Sequence, residues 1–251
     1  MKTVLRGRGG PLAPAVVLTF IFLLGQCRGE RTITITFEGP PTQPPRSAYL
    51  ITNYYELAMS FVQMGRYGRR HSAGSPGWPD NGTTYIQPEP SPVACTRLDG
   101  LSFRLISVDL AGYSAVVPDY PASFEGHRSD GSVETTNFPV SGITFQRYYF
   151  GPEFGDLTNV LVTAGALDNL VTRVPSVPPV LKIGTYSYHS DSWMTLEARG
   201  TSGFLYRLDY SENLAGTNWT TLTNFEAYYF RNDYVTTNFP AQRFFRVVEL
   251  P

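Results

Sequence analysis

The sequence predicts an all-β protein, an antiparallel sandwich followed by a smaller β-sandwich-like module. Three observations carry this. Apolar and polar residues alternate over short runs, Gly, Pro, Asp and Asn cluster between those runs, and a proline-rich break divides the chain unequally. An apolar share of 42% is too high for disorder, and a charged share of 16% falls below the ~25% of an average globular protein.

Taken in order, Lys2, Arg6 and Arg8 form a basic start, and Ala13 to Leu24 an apolar stretch of about a dozen residues. That length suits a signal peptide over residues 1–29 and is short of the ~20 residues a membrane span needs. Removing its four basic groups from the twenty leaves sixteen against twenty-one acidic groups, a mildly acidic mature chain near −5. Leu24-Gly25-Gln26-Cys27 is somewhat like a lipoprotein cleavage motif, but Gln26 is not small, so plain secretion is expected over lipid anchoring at Cys27. No second stretch of spanning length follows, so no transmembrane anchor is expected.

Residues 30–173 form the larger predicted domain. Ile33, Ile35 and Phe37 alternate with Thr34 and Thr36, a half-buried strand. Asn53 to Met64 reads two ways. Leu57, Ala58, Phe61 and Val62 have helical spacing, whereas Tyr54, Tyr55 and Phe61 favour strand. Leu101, Phe103 and Leu105 alternate before the phase slips to Ile106 and Val108, which predicts a β-bulge. Val160 to Val162 suits a buried strand, and Asp168 to Val171 precedes the break at Val174-Pro175-Ser176-Val177-Pro178-Pro179. Residues 174–180 are therefore expected as a stiff linker, and residues 181–251 as the second module, with strands at Phe204 to Tyr210 and Arg243 to Val248.

The chemistry is sparse. A net charge of −1 offers no field for nucleic acid. His71, His127 and His189 lack zinc spacing and read as scattered loop residues, and no phosphate-cradling or dinucleotide motif points to a nucleotide cofactor. With Cys27 removed or lipidated, Cys95 stands alone and reads as a small buried apolar residue. No nucleophile elbow is present, so a non-catalytic protein is expected.

Aromatic residues carry more. Tyr148-Tyr149-Phe150 and Tyr228-Tyr229-Phe230 each place at least one ring away from the core, because successive strand residues face opposite sides. Trp78 lies in the polar stretch Ser75 to Thr84, where an indole either tucks down as an anchor or stands as a platform for a sugar face. Asp80 and Asn81 are the candidate partners for sugar hydroxyls. Arg66, Arg69, Arg70 and His71 form the basic cluster, read either as a solvated loop or as a contact for an anionic polysaccharide.

Ile33 to Glu38, Asp99-Gly100 leading into Phe103 to Leu105, Phe124-Glu125-Gly126, Ser129 to Ser132, Phe154 to Val160 and Ala166 to Leu170 together resemble a family of secreted bacterial jelly-roll domains. Its members resemble carbohydrate-binding modules in fold and often precede a cell-surface sorting tail, which this sequence lacks. Tyr206 to Ser211, Leu214, Asn218 to Leu222 and Arg243 to Val247 resemble a small β-module of planctomycete and verrucomicrobial secreted proteins. The resemblance implies a jelly roll and a secreted, non-catalytic binding or envelope-associated protein whose partner is a polysaccharide or cell-envelope component. An extracellular glycan hydrolase and a purely structural surface protein are the alternatives. It also implies a structural Ca2+. In calcium-containing jelly-roll modules an acidic residue after the first strand and one in the last strand often share the ion, and Glu38 and Asp168 hold the matching positions.

Overall fold

A computed structural model describes residues 30–40, 44, 46–57, 59–65, 68–88, 91–175, 180–188, 191–201, 204–213, 218–226, 232–236 and 244–250. The expected signal peptide, Arg66, His189, Leu214 and Tyr228 to Phe230 lie outside the described residues, as does 176–179 of the expected linker.

Among the described residues of the first part of the chain, the regular structure is strand apart from one short 3-10 turn at Pro152–Phe154. Its strands are β1 (Arg31–Ile35), β2 (Ala48–Ile51), β3 (Asn53–Glu56), β4 (Met59–Gln63), β5 (Gly68–His71), β6 (Tyr85–Gln87) and β7 (Val93–Arg97). They continue with β8 (Arg104–Ala111), β9 (Ala122–Arg128), β10 (Val133–Phe138), β11 (Gln146–Tyr149), β12 (Leu157–Thr163) and β13 (Ala166–Val174). One sheet has the order β11-β8-β13-β6-β5-β2, with β1 also paired to β13, and the other has the order β10-β9-β12-β7-β4-β3. All pairings are antiparallel. Successive strands β7, β8 and β9 alternate between the sheets, as do β11, β12 and β13, so the chain wraps around its core as a jelly roll. Along one edge of β13, Leu167 pairs with Ile86 of β6 and Leu170 with Ile35 of β1.

Alternation fills the space between the sheets. Ile35, Phe37, Met59, Phe61, Cys95, Leu110, Phe124 and Val160 are all buried there, and Phe37 packs edge-on against Phe61 with ring centroids 5.1 Å apart. Asn53 to Met64 resolves as a hairpin in which β3 pairs with β4, and Leu57 takes the left-handed turn position at φ +44. Period two wins over the helical spacing because Tyr54 and Phe61 both gain a place in the aromatic core. The slip at Ile106 is a bulge. Val171 pairs with Ser107 but Thr172 pairs with Leu105, so Ile106 has no opposite residue. A second irregularity on β13 falls at Asn169, which adopts φ +44.

Arg69, Arg70 and His71 of the basic cluster lie in a strand, which corrects the solvated-loop expectation for them. Within β5, Arg70 turns into the space between the sheets, where Nε donates to the Phe37 carbonyl at 2.9 Å and a terminal nitrogen to the Gly39 carbonyl at 2.6 Å. Arg69 and His71 turn the other way. His127 likewise lies in a strand, β9, with Nε2 2.9 Å from Glu125 Oε1. Cys95 is buried as expected, and burial pushes its thiol pKa up, leaving it unreactive.

Beyond β13 come β14 (Val180–Tyr188), β15 (Asp191–Arg199), β16 (Leu205–Ser211), β17 (Thr220–Glu226), β18 (Asn232–Thr236) and β19 (Phe244–Glu249). They form two three-stranded antiparallel sheets, β14-β15-β18 and β17-β16-β19. Asp209 is buried in β16 and neutralised by Arg207 at 2.9 Å and Arg246 at 3.0 Å.

Candidate functional site

The outer face of the larger sheet, turned away from the second sheet, carries a connected set of polar and aromatic side chains. Arg70 and Ile86 point inward, so their strand neighbours Arg69, His71, Tyr85 and Gln87 point outward. Register pairs Arg69 with Gln87 and His71 with Tyr85. The His71 and Tyr85 rings stack at 5.1 Å and 9°.

His71 Nε2 lies 3.1 Å from Gln87 Oε1, and Gln87 Nε2 donates to the Tyr113 carbonyl at 2.8 Å. The Gln87 oxygen is thus an acceptor, which places the imidazole proton on Nε2. Nδ1 is left with its lone pair buried and no partner among the described residues, and the Tyr85 hydroxyl is buried in the same condition. Burial pulls the His71 pKa down to about 4, with the Arg69 charge adding to the shift and the Gln87 bond opposing it.

Trp78 lies against His71. Its indole is half-buried, 4.7 Å from the His71 ring at 35°, with Tyr113 edge-on at 5.2 Å. The Arg69 guanidinium stands 5.6 Å from the indole centroid. Phe145 packs against Tyr85 at 5.3 Å, and Tyr120 lies 6.1 Å from Tyr113, extending the aromatic strip in both directions.

The loop bearing Trp78 is held from beneath. Asp80 accepts from Gly74 N at 3.0 Å and from Gly82 N at 2.8 Å, closing the loop on itself. Gly77 and Gly82 sit at φ +75 and +85, where a side chain would be strained. Asn81 Nδ2 and Thr83 Oγ1 each donate to Asp168 Oδ2 at 2.7 Å, and Thr84 donates from both N and Oγ1 to Glu38. The sequence candidates for ligand and metal therefore converge on one loop, and Asp80 and Asn81 serve there as its internal braces.

Asp168 is fully buried, and burial raises its pKa to about 6. The hydrogen bonds from Asn81, Thr83 and Asn169 N oppose that shift, while the Asp109 carboxylate, its register partner on β8, reinforces it. Asp109 itself pairs with Arg147 at 2.7 Å.

A Ca2+ ion needs six to eight oxygen ligands. Both oxygens of Glu38 and of Asp168 already face N–H or O–H hydrogens. Among the described residues no group of three or more His, Cys, Asp or Glu stands together. This donor set fits a hydrogen-bonded latch rather than an ion shared by Glu38 and Asp168.

Sequence reasoning left out His71, Gln87 and Tyr113 as parts of one surface with Trp78. The signal was present only as alternation within Gly68-Arg69-Arg70-His71, which contains no apolar residue to reveal a strand. The Tyr148 to Phe150 triplet behaves as expected: Phe150 is buried, and Tyr149 is 70% exposed on edge strand β11.

No family model matches the chain, and no curated protein matches it. Among solved structures the chain is similar to the N-terminal CBM22-1-CBM22-2 tandem domain of Xyn10C from Paenibacillus barcinonensis. Identity is 9%, the TM-score is 0.28, and the match covers 87% of this chain and 84% of that chain. No helix among the described residues is long and apolar enough to cross a membrane.

Proposed function

We propose that this is a secreted, non-catalytic binding module that receives an extracellular glycan on the outer face of the larger sheet, with Trp78 as its platform. The observation that carries the reading is a half-buried indole backed by His71 and Tyr113 on a loop braced by its own hydrogen bonds. A pyranose presents C–H groups that pack on such a ring, and a platform already held in place loses little entropy when it binds. The basic and apolar leader in the sequence supports export. The carboxylates Asp109 and Asp168 share this face, but Asp168 lies beneath Asn81 and Thr83, which favours binding over hydrolysis.

The test is retention on a glycan array and in affinity gels, with melting measured alongside. Trp78→Ala is expected to weaken glycan retention by about tenfold or more, and Trp78→Phe to recover part of it. Unchanged retention in Trp78→Ala would overturn the reading, as would a wild-type protein that binds no glycan.

A further inference from the structure

Resting on that reading, we propose that the preferred glycan is acidic, with Arg69 receiving a uronate carboxylate beside the sugar ring stacked on Trp78. Arg69 is part-exposed, its guanidinium stands over the indole at 5.6 Å, and it forms no ion pair with any described residue. Arg31, Arg97, Arg147 and Arg173, by contrast, each hold a carboxylate. A second cation borders the same loop. Arg46 is exposed, with its Cγ 3.2 Å from where a Cβ on Gly74 would lie, and it too makes no ion pair with a described residue.

The acidic residue on the loop does not cancel these charges by pairing. Asp80 directs one oxygen to Gly74 N and the other to Gly82 N. A guanidinium presents a planar fork that matches a carboxylate, and when also stacked on an aromatic ring it loses less freedom on binding. The rest of the mature chain is mildly acidic, so general attraction to polyanions is weak and a preference for acidic sugar has to come from a local site.

The experiment compares three probes on the mature protein by titration calorimetry: polygalacturonate, its methyl ester and a neutral galactan. The acid is expected to bind about tenfold tighter than the ester at low salt, with the gap narrowing as ionic strength rises. Arg69→Ala should bring the acid down to the level of its ester, and Arg69→Lys should keep part of the gap. Arg69→Gln serves if the alanine variant does not fold, and the wild-type acid-to-ester ratio requires no variant. Equal binding of acid and ester, or a preference that survives Arg69→Ala, overturns the uronate assignment while the glycan reading stands. No binding to any of the three overturns the uronate assignment, and the glycan array then decides the glycan reading separately.

Discussion

Burial moves His71 and Asp168 in opposite senses along the pH axis. His71 titrates near 4 when folded, against an ordinary 6.5, so its contribution to stability is complete above 6.5 and is lost as pH falls towards 4. Asp168 titrates near 6 when folded, against 3.8, so its contribution is complete below 3.8 and is lost as pH rises through 6. Each shift corresponds to about 3 kcal/mol, and the two slopes nearly cancel between about pH 4 and 6. Single substitutions should expose them. Asp168→Asn is expected to leave a melting temperature that climbs with pH across this window, and His71→Phe one that falls. Denaturation at half-unit pH steps checks both, and parallel profiles for the two variants would show that the shifts are absent. Neither shift was legible beforehand, because an isolated His or Asp in a sequence says nothing about what will cover it.

The loop from Ser72 to Thr84 joins β5 to β6 and is latched to two other strand segments. Asp168 comes from β13 and Glu38 from the segment after β1, and these two paired strands bring both carboxylates to adjacent threonines. The latch consists of hydrogen bonds from neutral donors to carboxylates. Chelation with EDTA, followed by added Ca2+, is therefore expected to leave the melting curve of the protein unchanged. A rise of several degrees with Ca2+ would show that the ion displaces those donors and that Glu38 and Asp168 ligate it. The strand patterns around Ile33 and Leu105 were readable from alternation, as was the bulge at Ile106. β5 was not, because its outward side bears Arg69 and His71 while its inward residue is Arg70, a cation satisfied by two backbone carbonyls. Polar residues on both faces erase the period that a strand assignment relies on.

Across the chain, first and last strands meet. Arg31 of β1 pairs with Glu249 of β19 at 2.6 Å, and its guanidinium lies over the Phe204 ring at 4.6 Å. β13 ends at Val174 and β14 begins at Val180, leaving a proline-rich stretch that the sequence marks as a linker. Limited proteolysis is expected to cut there and yield two folded fragments that remain associated. Arg31→Ala, or high salt, should weaken that association without abolishing it, because Phe204 and Tyr206 belong to the same apolar cluster as Val174. A chain that resists cleavage and melts in one step would contradict this division.

Alternation and turn residues were enough to specify an all-β chain, a buried Cys95 and an outward ring within Tyr148 to Phe150. Each depends on neighbours in the chain, where a period of two and the φ preferences of Gly and Pro act. The hairpin at Asn53 to Gln63 depended on distant partners, since only the facing sheet supplies the core that draws Tyr54 and Phe61 inward. The surface around Trp78 depended on them still more. Glu38, Tyr113 and Asp168 reach that loop from other strands and connections, and hydrogen bonds spanning more than eighty residues hold it. Local sequence sets which way a side chain points from its own strand; only the pairing of strands sets what it meets.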